Sequence, residues 1–122
     1  MITGIDLNET IDFVSQFDKS EIKTIFKISA IPSRVQSRAA KLLGQNGEGA
    51  LDSMAEAFRY GVKNILNLVY KTGAPVVFET ERGEFGVVVA EKIIAILPVP
   101  VISEVGAKIL EISKMSEQET KN

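Results

Sequence analysis

A proline divides this chain into two hydrophobic rhythms. Before it, over Ile22–Ile31, the residues Ile22, Thr24, Phe26, Ile28 and Ala30 alternate with Lys23, Lys27 and Ser29. A period of two marks a half-buried strand, because successive side chains of extended backbone point to opposite faces. Ile25 interrupts the polar face, so this strand is expected to be partly covered on both sides. Pro32 has no amide hydrogen to give a sheet and biases Ile31 toward extended backbone, yet it is accepted in the first turn of a helix. After it, Val35, Ala39, Leu42 and Leu43 recur at helical spacing, and Gly44 stands where a C-cap glycine belongs. A chain that changes rhythm within one residue must put sheet and helix into the same core. The expected class is α+β, mainly helical, with a small antiparallel sheet or hairpin.

The remaining elements follow from the same reasoning. Glu9–Phe17 alternates weakly and suits a short strand or irregular chain. The glycine-rich run 44–49 reads as a connection. A long helix is expected over Ala50–Tyr70, with Leu51, Met54, Phe58, Val62, Ile65, Leu66 and Val69 as its buried stripe and Gly61 inside it. Lys71–Pro75 is a turn. Val76–Thr80 and Phe85–Ala90 are β-branched or aromatic runs that suit two short strands or a hairpin, with Gly83 supplying the turn. Glu91–Leu97 suits one or two helical turns ended by Pro98. A last helix is expected over Pro100–Lys114, with Ile102, Val105, Ile109 and Ile112 on one face. The length of 122 residues fits a single domain, 1–122, in which 115–122 form a polar tail able to begin another turn or stay disordered.

Composition then narrows the chemistry. Hydrophobic residues are 45% and charged residues 25%, ordinary for a domain that folds on its own core. There is no His, Cys or Trp. That removes His-based triads and dyads, zinc and haem-His sites, and thiol chemistry. The usual substitutes also fail. The 44–49 glycines follow a helix, and no Lys-Ser/Thr pair follows them, so they make no phosphate loop. Glu79, Glu81 and Glu84 sit on a turn with Arg82 among them and read as solvated rather than as paired catalytic carboxylates. No Ser or Lys has a base or a desolvating pocket beside it. The expectation is a protein that is not an enzyme, with no catalytic residue, cofactor or metal.

The first residues form no charged and apolar leader, and Gly86–Ile102, the most apolar stretch, holds Glu91, Lys92, Pro98 and Pro100. It falls short of the roughly 20 unbroken residues of a spanning helix. A cytoplasmic protein without a membrane partner is expected.

Charge is unevenly placed. Residues 1–18 hold Asp6, Glu9, Asp12 and Asp18 with no basic residue, whereas nine Lys/Arg meet four acidic residues over 19–71. Arg34, Arg38 and Lys41 recur at i, i+4 and i+7 on one helix, with Lys27, Arg59 and Lys63 as candidate additions. The pI near 5.2 argues against a dedicated nucleic-acid module, so this stripe reads as a solvated or protein-docking face.

The order of features resembles a known family. An acidic start leads into Lys23-Thr24-Ile25-Phe26-Lys27-Ile28. The central segment closes on Tyr60-Gly61-Val62-Lys63-Asn64-Ile65-Leu66-Asn67-Leu68. Val76–Glu79 and the Glu91–Pro98 turn follow, then Val101-Ile102-Ser103-Glu104-Val105, Ile109-Leu110-Glu111-Ile112-Ser113 and a polar end. Over residues 10–122, and most densely over 58–79 and 93–122, this is similar to the small tail assembly chaperones of long-tailed bacteriophages. The resemblance implies a protein of the host cytoplasm that looks after the long tape measure protein and helps tail-tube protein assemble around it. A homo-oligomer is compatible with apolar strand edges around Val76–Ala90. The partner-binding residues expected are Arg34, Arg38 and Lys41 together with Ile109 and Ile112 of the last helix. Two other readings remain at this stage: a structural virion component for tail completion or head–tail joining, and a small nucleic-acid-binding regulator using 27–63.

Overall fold

The computed structural model describes residues 1–44 and 49–121, without the side chains of 115–121. Its elements are β1 (Ile11–Phe13), β2 (Ile25–Ile28), α1 (Ser33–Leu43), α2 (Gly49–Gly61), β3 (Val62–Leu66), β4 (Thr80–Gly83), β5 (Gly86–Val89), α3 (Glu91–Ile94) and α4 (Val99–Lys121). This is the α+β class expected from the sequence. β2 is the middle strand of an antiparallel sheet ordered β1-β2-β3, and β4 and β5 form a separate hairpin.

The largest departure from the sequence reading lies in the central segment. The helix expected to reach Tyr70 ends at Gly61, and Val62 begins a strand. Phe26 pairs with Ile65 and Lys27 with Asn64, so β3 satisfies the second edge of β2. Spacing by threes and fours did not forbid this, because Val62 and Ile65 face the core either way. The need of a central strand for two partners decided the outcome. Leu51 and Val69, expected in the stripe, are instead exposed, and α2 buries Ser53, Ala57, Phe58 and Tyr60.

Other boundaries moved less. The first two strands are shorter than expected, and Ile22 is exposed beyond the start of β2. Leu43, counted on the apolar face of α1, is exposed as well. Gly83 closes β4 and pairs with Gly86, so the tight turn is Glu84-Phe85, with Gly86 at φ 131°. Of Val76–Thr80 only Thr80 belongs to β4. Val76 instead donates its amide to Leu68, and Val69 bridges Pro75, giving a second ribbon around the Lys71–Pro75 turn. Most of the 44–49 connection lies outside the described residues.

α2 is the central post. It packs between α1 and α4 and touches β5. Its approach to α4 is set by two glycines. A Cβ on Gly106 of α4 would collide with the Met54 carbonyl, and one on Gly61 would come within 2.6 Å of Ile109. Phe26 meets Phe58 edge to face, 6.1 Å between centroids, joining sheet to helix. Around them Ile28, Ile31, Val35, Val88, Val89, Ile93, Val105 and Ile109 are fully buried, each large side chain contributing about 1.5–3 kcal/mol of transfer free energy.

Candidate functional site

The basic stripe of α1 separates into two parts. Arg34 and Lys41 are exposed. Arg38 turns to the β4–β5 hairpin, where its guanidinium donates to Glu84 at 2.9 Å, lies 3.8 Å from Glu56 and stands 5.8 Å above the Phe85 ring. Arg38 therefore ties α1 to the hairpin. The other candidate cations are also engaged: Lys27 pairs with Asp12 at 2.7 Å, and Arg59 lies 4.0 Å from Glu56. Lys63 donates to the Tyr60 carbonyl at 3.0 Å, and desolvation by burial pushes its pKa below the usual lysine value. Of the hairpin carboxylates, Glu84 pairs with Arg38 and Glu79 with Lys92.

Beside Arg34 and Lys41 lies a groove of about 710 Å³. One wall is the α1 face carrying Ser33, Gln36, Ser37, Ala40 and Leu43. The opposite side is formed by the N-terminal residues Ile2, Ile5 and Leu7, while Leu110 and Lys114 of α4 close one end. Ser37 lies on this groove three residues after Arg34 and four before Lys41, so both cations flank it on the helix surface. Leu43 is 60% exposed and Ile2 87% exposed. The groove's polar side chains carry hydroxyls, one amide and the Lys114 ammonium, and Gln36 already donates its side-chain NH to the Ile31 carbonyl at 2.9 Å. None of the described lining residues is a carboxylate.

Ser113 of α4 is wholly buried and donates to the Ile109 carbonyl at 2.7 Å while accepting the Ile31 amide at 3.1 Å. That pair of bonds ties the residue before Pro32, at the start of α1, to α4.

The structure therefore redistributes the expected docking residues. Arg34 and Lys41 flank the groove, whereas Arg38 points elsewhere. Ile109 is wholly buried against Gly61 and reaches no surface, and Ile112 is half-buried. The residues of α4 that reach the groove are Leu110, next in sequence to Ile109, and Lys114. The sequence reading missed Leu110, Ile2, Ile5 and Leu7. The spaced apolar residues Ile2, Ile5 and Leu7 in an otherwise polar start were the available signal.

Chemically, an open apolar trough with basic flanks suits one face of an amphipathic helix that carries acidic residues beside its apolar stripe. Among the described residues no group of three or more His, Cys, Asp or Glu is placed to hold a metal ion, and no helix is long and apolar enough to cross a membrane. Comparison of the chain with protein-family models, curated proteins and solved structures found no match.

Proposed function

We propose that this chain is a non-enzymatic tail assembly chaperone of a long-tailed bacteriophage, acting in the host cytoplasm on the tape measure protein and aiding assembly of tail-tube protein around it. Two things support the reading. One is the family resemblance in the order of sequence features. The other, which carries it on the structural side, is the trough between α1, α4 and the N-terminal segment. It is lined mainly by apolar residues, basic at its flank and free of carboxylates among its described lining residues. A long helical client exposes apolar stripes that aggregate unless covered. A trough of this kind covers such a stripe reversibly, and its cations favour clients with acidic flanks.

Co-expression of the chain with the tape measure and tail-tube proteins, followed by pull-down, tests the proposal. The expected result is co-purification with the tape measure protein and a larger soluble yield of it. A chaperone is also expected to be missing from purified virions. Recovery of the chain from finished particles supports the structural-component reading instead.

A further inference from the structure

A second apolar surface lies at the other end of α4. Asn67, at φ 61°, bends the chain out of β3 into the ribbon that turns at Lys71–Pro75. Leu68 and Val76 face inward and pack on the core. Val69 and Val77 alternate with them and point outward, 56% and 72% exposed, with Tyr70 43% exposed at the turn. A ribbon with one solvated face is ordinarily polar there. This one is apolar on both faces, and its outer face is bare.

At the root of the ribbon is a groove of about 410 Å³ lined by Leu68 with Phe17, Phe26, Pro98, Pro100 and Val101. Phe17 is 54% exposed at its mouth. Asp18 also lines it, while the ribbon tip carries the exposed Lys71. A protruding apolar ribbon and an apolar groove thus lie side by side and share Leu68. A patch holding both a projection and a matching recess is self-complementary, and a two-fold axis satisfies both at once. The opposite charges at the tip and in the groove fit the same arrangement.

We propose that the 67–78 ribbon of one copy seats its outer face in the Phe17–Pro98–Val101 groove of a second copy, and reciprocally, forming a two-fold dimer with Lys71 approaching the partner's Asp18. This interface is separate from the trough described above, because Val101 and Leu110 lie about 14 Å apart along α4. It does not depend on the identity of any client.

The full chain is tested by sedimentation velocity over a concentration series. The wild type is expected to double its mass as concentration rises. Val77→Lys and Phe17→Lys change exposed side chains, so each is expected to keep the circular dichroism spectrum and raise the dimer dissociation constant by about tenfold or more. Because the chain has no cysteine, a copy with Phe17→Cys mixed with one carrying Val77→Cys is expected to form a cross-linked pair. A wild type that stays monomeric throughout overturns the proposal. So does a dimer that neither lysine variant weakens, or cross-linking confined to like copies. Client capture by a chain shown to be monomeric would leave the chaperone reading standing while this one falls.

Discussion

Ser113 and Ile31, 82 residues apart, are joined in the core: the Ile31 amide donates to the Ser113 hydroxyl at 3.1 Å, and that hydroxyl in turn donates a hydrogen bond to the Ile109 carbonyl. Replacement by alanine leaves a buried amide without an acceptor just before Pro32. Ser113→Ala is expected to cost about 1–3 kcal/mol, read as a lower urea midpoint with an unchanged slope. A loss no larger than that of an exposed serine such as Ser33→Ala would show that the bond does not hold α1 to α4.

The contact between α2 and α4 depends on Gly106. A Cβ there meets the Met54 carbonyl, which belongs to the backbone and cannot rotate away. Gly106→Ala is expected to part the helices and cost about 1–3 kcal/mol or more. Gly4→Ala, with nothing within 4 Å of the added atom, is expected to stay within about 0.5 kcal/mol of wild type. Thermal melts of the two variants make the comparison.

Arg38 makes contacts of two kinds, ion pairs with Glu84 and, at 3.8 Å, with Glu56, and a stack over the Phe85 ring. The exposed pair with Glu84 is worth about 0.2–1 kcal/mol, and the Phe85 ring adds about 0.5–1 kcal/mol. Arg38→Ala is therefore expected to destabilise more than Glu84→Ala. A double-mutant cycle isolates the ion pair, whose coupling should shrink with added salt. Equal losses in the two single variants would remove the ring from the account.

Asp18 gives the fold an acid-sensitive loop. Its carboxylate accepts the Ser20 hydroxyl, the Thr24 amide and the Ser20 amide, which lower its pKa from 3.8 to about 2. A folded pKa below the unfolded one stabilises the native state above the unfolded value, and that contribution fades as pH falls through the folded one. The stability gap between wild type and Asp18→Asn is thus expected to be present at about pH 5 and to narrow toward about pH 2. A gap that stays constant across that range contradicts the assignment.

How far the sequence could be read depended on whether local pattern or distant partner decided each element. Pro32 and the Val35/Ala39 spacing placed α1 correctly, because a proline acts on its own neighbours. Val105 and Ile109 were rightly placed on the inner face of the last helix. Val62–Leu66 failed because its spacing fits both a helix and a strand, and only the open edge of β2 decides between them. The site was legible to the same degree. Helical periodicity put Arg34, Arg38 and Lys41 on one side of α1, but only the position of Glu84, 46 residues away, shows that Arg38 is occupied. Ile109 was chosen for its apolar side chain, the same property that buries it against Gly61.

The central claim is that the trough beside α1 holds an apolar helical client, and Leu43 tests it most directly. Leu43 is 60% exposed, so Leu43→Gln keeps a good helix former and leaves the core untouched. Binding of purified tape measure protein to wild type and to this variant is to be compared by titration calorimetry. The variant is expected to melt near wild type and to bind the tape measure protein several-fold more weakly. Undiminished binding by folded Leu43→Gln, or no binding by the wild type, would contradict the account.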